Sequence, residues 1–320
     1  MDNHENITVP EWASILGENE YRAFISAIED YFRQKGEPYT IEDAVLRLGE
    51  KKEGEPPNSM PSPFSLPSQW EQFQMGLVNL AKMCAQNRPD TYPAIIASHF
   101  DTIMEIMAFE KQFSKIVDDF DQVKQYIGTK LHDKEYINVN ADAFVYRPFA
   151  GEIYASLVYD SPYATKNIPK SDMEKWGKTE DEVFAIGIEN IRRNYPLQAV
   201  KVNFGEDEIF AVEQNHFFAP NILFELEQHE EFIGKGGAIV AAPTRHMALI
   251  YPINNLKVTS VLGIFFHAVP DIFRNGPGSL SDEIYWYHDG QYEPLDYISD
   301  QNLVFKPSEA FLKLLNGGLE

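Results

Sequence analysis

Across residues 144–194 the hydrophobic pattern changes period, from strand-like alternation to helical spacing, and the later chain repeats that change. The run Glu152-Ile153-Tyr154-Ala155-Ser156-Leu157-Val158-Tyr159-Asp160 lies between Gly151 and Ser161-Pro162, which predicts a bounded strand. Alternation puts Ile153, Ala155, Leu157 and Tyr159 on one face and Tyr154, Ser156, Val158 and Asp160 on the other. Apolar residues on both faces predict a central strand. Residues 163–168 follow a Ser-Pro turn and are expected to pair back as a hairpin. Thr179 and Glu182 have the spacing of a capping box, and Val183, Phe184, Ile186, Ile188 and Ile191 then recur at helical intervals. Gly187 weakens that helix, so its expected use is to let the helix approach the sheet closely.

Before this stretch the pattern is helix-rich. Residues 18–34 read as a helix with Tyr21, Phe24, Ile25, Ile28, Tyr31 and Phe32 on one stripe and Gly36 as its stop. Residues 39–48 have strand character. Residues 49–67 collect Pro56, Pro57, Pro61, Pro63 and Pro67 and predict a surface loop. Helices are expected over 68–86 and 90–109, the second holding Pro93 in its first turn. After Asp118-Asp119-Phe120-Asp121 the chain becomes strand-rich, giving a helix-rich N-terminal part, 1–120, and a sheet domain, 121–320.

Within the sheet domain the hairpin-then-helix unit recurs. Strands at 199–204 and 209–213 precede a helix at 219–232, and strands at 237–242 and 247–251 precede a helix at 256–273. Strands at 284–287 and 292–295 flank His288-Asp289-Gly290, whose Asp-Gly signals a tight hairpin, and a last helix covers 308–315. The class predicted is α+β, with one largely antiparallel sheet carrying helices on a face.

Charge narrows the partners. Asp and Glu number 49 against 27 Lys and Arg, a net charge of -22, which opposes nucleic-acid binding through direct phosphate contacts and opposes anionic membrane surfaces. It suits a basic protein partner, and solubility alone accounts for it as well. The single cysteine, Cys84, excludes an intramolecular disulfide framework and fits a reducing compartment. Met1-Asp2-Asn3-His4-Glu5 has no basic or apolar run of the signal-peptide kind, and 258–273 is too short to span a bilayer, so a cytoplasmic location is expected.

Candidate chemistry is sparse. Gly234-Lys235-Gly236-Gly237 leads into a strand rather than a helix, unlike a phosphate loop. His229-Glu230-Glu231-Phe232-Ile233 lacks the second histidine of a zinc-protease helix, and Asp118, Asp119 and Asp121 lack the glycine and terminal glutamate of a calcium loop. No catalytic residue, metal site or cofactor is therefore assigned. Cys84 reads as buried and inert. His267 and Asp271 share a helix face, as a core histidine held by a carboxylate or as a general-base pair. Arg245 and His246 occupy a predicted hairpin turn. Arg147, Tyr159 and Asp160 gather at strand ends, with Arg147 pairing with Asp160 or all three lining a cleft. Arg147, Tyr159, Asp160, Arg245, His246 and His267 are thus the candidate binding residues.

Asn79-Leu80-Ala81-Lys82, the run Val145-Tyr146-Arg147-Pro148 leading to Glu152-Ile153-Tyr154, and Trp176-Gly177 before Glu189-Asn190-Ile191 resemble the YtpQ-like family of bacterial proteins. Gly237-Ala238-Ile239-Val240-Ala241-Ala242-Pro243, with His246 and Leu249-Ile250, is similar as well. The likeness runs from about Phe24 to Asp296; the Pro-rich segment and residues 297–320 fall outside the pattern. It implies a bacterial cytosolic α+β protein and carries no reaction or catalytic residue. The function expected is a noncatalytic binding or protein-interaction module with an acidic surface, neutralising a basic protein or sensing a ligand in a stress, defence or immunity setting. A hydrolase using Asp160, Arg245, His246 or His267 is the alternative.

Overall fold

The computed structural model describes residues 8–48, 74–204, 207–299 and 303–317. The Pro-rich segment 49–67 lies outside them. The chain divides into two compact units, Met1–Gln112 and Phe113–Glu320.

In the first unit, helix α1 (Glu18–Lys35) is followed by strands β1 (Tyr39–Glu42), β2 (Val45–Leu48) and β3 (Gln74–Gly76), then helices α2 (Val78–Ala85) and α3 (Tyr92–Ile116), which runs past the unit's boundary. Gly36 ends α1 in the left-handed conformation, φ 69°, its N–H donating to Phe32 O. The predicted strand at 39–48 is a hairpin, because Asp43 and Ala44 both adopt positive φ and turn the chain between Glu42 and Val45. The helix expected at 68–86 is confined to 78–85, since residues 74–76 pair with β2; 68–73 lie outside the described residues. Phe24, Ile28 and Phe32 of α1 meet Leu80, Cys84, Ile96 and Phe100 in one buried cluster. Cys84 is buried there, and burial pushes its thiol up to about 11.

The second unit is α+β. Its elements are α4 (Phe120–Val123), β4 (Ile127–Asp133), α5 (Lys134–Asn140), β5 (Tyr146–Ala150), β6 (Ile153–Asp160), β7 (Thr165–Asn167), α6 (Lys170–Trp176), α7 (Glu180–Asn194), β8 (Ala199–Phe204) and β9 (Asp207–Glu213). There follow β10 (Ala238–Thr244), β11 (Met247–Pro252), α8 (Val258–Asn275), β12 (Ile284–His288), β13 (Gln291–Pro294), β14 (Tyr297–Ser299), β15 (Leu303–Phe305) and α9 (Glu309–Gly317). The strands do not continue as one sheet. A four-stranded antiparallel sheet has the order β4-β6-β5, with β7 pairing the far end of β6, and a six-stranded one has the order β13-β12-β10-β11-β9-β8. The helix predicted at 219–232 is instead a series of short 3-10 turns, Ala219–Phe224, Leu226–Gln228 and Glu230–Phe232.

Alternation explains the stacking. Ile153, Ala155 and Leu157 of β6 share a buried cluster with Val240 and Ala242 of β10 and Ala248 and Ile250 of β11, so the two sheets meet through these faces. The opposite face of the six-stranded sheet, Ile239, Ala241, Leu249 and Trp286, packs on Val261, Leu262, Phe265 and Val269 of α8. Strand β10 is therefore buried on both faces.

Helix α7 covers the β4 edge. Its capping box forms as predicted, Thr179 Oγ1 accepting from Glu182 N and Glu182 Oε2 accepting from Thr179 N. Gly187 lies on the sheet: a Cβ there would stand 2.6 Å from Thr129 Oγ1 and 2.9 Å from the Gly128 carbonyl carbon. One turn on, Asn190 Nδ2 donates to Lys124 O and Ile127 O at 2.7 and 2.8 Å, fixing the helix to the start of β4. No helix among the described residues is long and apolar enough to cross a membrane.

Candidate functional site

Strand geometry separates the residues singled out at the β6 end. Tyr159 faces the core and its hydroxyl donates to Asp172 Oδ2 at 2.8 Å; burial first, then Asp172, raises its pKa strongly. Asp160, one residue on, points to the other side of the sheet, as alternation requires. Arg147 stands opposite Ala155 in register, on the Tyr159 side and five positions from Asp160 along β6. Its guanidinium pairs with Asp181 at 2.9 Å and lies 4.1 Å from the Phe184 ring centroid. The expected Arg147–Asp160 pair does not form.

The histidines separate too. His267 is exposed on α8 rather than held in the core, and Asp271 accepts instead from Asn275 Nδ2 at 2.9 Å. His246 sits in the β10–β11 turn, its Nδ1 3.1 Å from Gln214 O and its ring 5.2 Å from Phe217. Neither histidine's recorded partner is Asp160.

What the fold does bring together is a polar face of the four-stranded sheet that sequence reasoning missed. On β4, Lys130 and His132 point away from the inter-sheet core; Lys130 is paired in register with Ser156 and His132 with Tyr154. Asp160 lies on the same face of β6, opposite Thr165 of β7. Arg245, from the β10–β11 turn, comes close to the end of β4, its Nη2 3.9 Å from Asp133 Oδ2, and its charge acts on both Lys130 and His132. Phe217 closes over Lys130, whose Nζ is 4.7 Å from the ring centroid, and Tyr136 of α5 stacks on His132 at 4.2 Å with an interplanar angle of 10°.

Burial dominates the electrostatics of this face. Burial lowers the Lys130 amine to about 8, the Arg245 charge adds to the effect, and Asp160 opposes it. Burial holds the His132 imidazole at about 3, and the cations Lys130 and Arg245 push the same way, so the ring is neutral. Burial raises Asp160 against the hydrogen bonds it receives from Thr165 and from Tyr195, whose hydroxyl is 3.2 Å away. Tyr195 in turn is pushed up to about 12 by burial and then by Asp160. Both ring nitrogens of His132, the Ser156 hydroxyl and Arg245 Nε are buried without a hydrogen-bond partner. His132 and Ser156 are only 2% and 0% exposed, so neither exchanges its missing bonds for bulk water.

One signal in the chain pointed here. Ile127, Thr129 and Leu131 alternate with Gly128, Lys130 and His132, a half-polar strand pattern ending in Asp133, which caps α5 by accepting from Tyr136 N. A separate groove of about 410 Å³ is lined by Gly234–Gly237, Trp286–Gly290 and Leu314. Its polar groups are engaged among themselves: Trp286 Nε1 donates to Gly236 O and Tyr287 OH to Glu227. Among the described residues no group of three or more His, Cys, Asp or Glu side chains is arranged to hold a metal ion.

Comparison of the chain with protein-family models, with curated proteins and with solved structures returns no match.

Proposed function

We propose that the chain is a binding protein that engages a basic protein partner through its carboxylate-rich surface. The observation that carries this reading is how the surface cations are used. Arg33, Lys35, Lys124, Lys134, Lys175 and Lys257 each sit 2.6–3.1 Å from a carboxylate of the same chain. Such pairs add little stability, but they neutralise these six cations within the chain, whose formal surplus of -22 sets the field a partner meets. A field of that sign accelerates encounter with a basic surface and is screened by salt. The setting proposed is the cytoplasm, in keeping with the lone cysteine, and the resemblance to the YtpQ-like family adds no reaction to this reading.

The hydrolase alternative needs an imidazole beside Asp160. His246 is engaged with Gln214 O and His267 is exposed on α8, so no observation favours it. The test is capture on the immobilised full chain from host lysate at low and at high salt, with retained species weighed and identified. A stoichiometric basic protein, held at low salt and released at high salt, is the expected result. A partner indifferent to salt, or no protein at either salt, contradicts the proposal.

A further inference from the structure

We propose that Lys130 and Arg245, with Ser156 and His132 on the strand floor beneath them, form a binding site for a small tetrahedral oxyanion such as the phosphate group of a small molecule. Three observations converge on it. Lys130 makes no ion pair among the described residues, and the carboxylate nearest Arg245, that of Asp133, stands at 3.9 Å, beyond hydrogen-bonding distance. Lys130 and Arg245 are both half-buried, and the Arg245 charge acts on the Lys130 amine. An anion between them removes their repulsion, which is the arrangement that recurs where Lys supplies a point charge and Arg a planar fork to one oxyanion.

The second observation is the set of unused donors. Arg245 Nε is buried and unpartnered, Ser156 Oγ is buried and unpartnered directly across from Lys130, and the neutral His132 ring has one N–H to give. Together with the Lys130 ammonium these are several unused donors around one face of β4 and β6, and a tetrahedral group offers acceptors in more directions than a planar carboxylate. The third observation is the boundary. Asp160 is held back by Tyr195 and Thr165, and Asp133 is turned to cap α5, so the two carboxylates that flank the face are each engaged at its margins. Phe217, 47% exposed, lies over Lys130 and Tyr136 stacks on the neutral His132, so both rings cover this face without offering a competing charge.

The test uses the full chain and inorganic phosphate followed by titration calorimetry, with acetate as a second arm. Saturable phosphate binding, weakened about tenfold or more in Lys130→Met and in Arg245→Met, with acetate binding more weakly than phosphate, is the expected result. No binding of phosphate by the parent chain, or binding unchanged in both variants, overturns the proposal. A readout on the parent chain covers the case in which a variant fails to fold. Lys130, with its lowered pKa, is expected to react early with an amine-acylating reagent near neutral pH, and phosphate is expected to protect it; protection spread evenly over all lysines overturns the proposal. Failure here leaves the salt-dependent capture of a basic protein untouched, because that reading rests on the outer surface.

Discussion

On one face of β6, Ile153, Ala155 and Leu157 are buried against the second sheet, and the polar atom among them, the Tyr159 hydroxyl, is bonded to Asp172. On the other face Ser156 and its neighbour His132 are buried as deeply, yet the hydroxyl and both ring nitrogens have no partner. The same strand thus carries a bonded hydroxyl on one face and a buried, unbonded one on the other. Leaving a buried donor unmatched costs about 1–3 kcal/mol, so a face kept only for packing is expected to lose such groups. The odd-numbered residues of β6 hold the inter-sheet core; of the even-numbered ones Val158 packs on Ile191 and Phe218, and Ser156, beside Lys130 and His132 of β4, is left for the proposed ligand.

The largest break in this comparison comes from the core side. Leu157→Ala is expected to lower the urea-derived unfolding free energy by about 2–5 kcal/mol, the range for a fully buried leucine. Ser156→Ala, its immediate neighbour, is expected to stay within about 0.5 kcal/mol of the parent or to gain stability, because it removes a hydroxyl that has no bond to lose. Equal losses at both positions contradict the distinction between the faces. A smaller effect sharpens it at the β4 edge. Gly187→Ala is expected to cost about 1–3 kcal/mol in the same measurement, since the added methyl meets the backbone of Gly128, although alanine is the better helix former. A stabilised Gly187→Ala variant means that α7 stands further from the sheet than described.

The last test is a slope rather than a single difference. His132 titrates near 6.5 when unfolded and is held at about 3 when folded, so the unfolded chain takes up its proton first as pH falls. Its contribution is complete above about pH 6.5 and is lost as pH drops toward 3, with a limiting slope of about 1.4 kcal/mol per pH unit. His132→Phe keeps a ring against Tyr136 and is expected to flatten that part of the stability–pH curve relative to the parent. An unchanged slope places the His132 ring in contact with water.

The legible parts of the fold were those fixed by neighbours in sequence. The Thr179–Glu182 capping box, the stop at Gly36 and the Asp289-Gly290 turn, where both residues take positive φ between His288 and Gln291, need only local chemistry. Residues 219–232 misled because Ile222, Leu223, Leu226 and Phe232 are buried at spacings that a helix and successive 3-10 turns both satisfy, while Pro220 withholds a backbone donor. Strand partnership was illegible for a different reason: alternation tells which residues share a face, not which strands share a sheet. The candidate site inherits that limit. Lys130 meets Ser156 only through β4–β6 pairing, and Arg245 acts on Lys130 and His132 only because a turn of the second sheet comes close to the end of β4. Asp160 alone among the residues singled out beforehand lies on that face of the sheet, and Arg245 joins it from the turn; Arg147, Tyr159 and His267 serve packing, ion pairing or the exposed helix surface.

The claim that one face of the four-stranded sheet is held for a ligand is tested most directly by titrating the isotope-labelled full chain with inorganic phosphate and following backbone amide resonances. Shifts concentrated at Lys130, His132, Ser156 and Arg245, with Ile239, Leu249 and Val261 around the α8 core unmoved, are the predicted result. Shifts absent from Lys130 and Ser156, or spread without regard to face, contradict it.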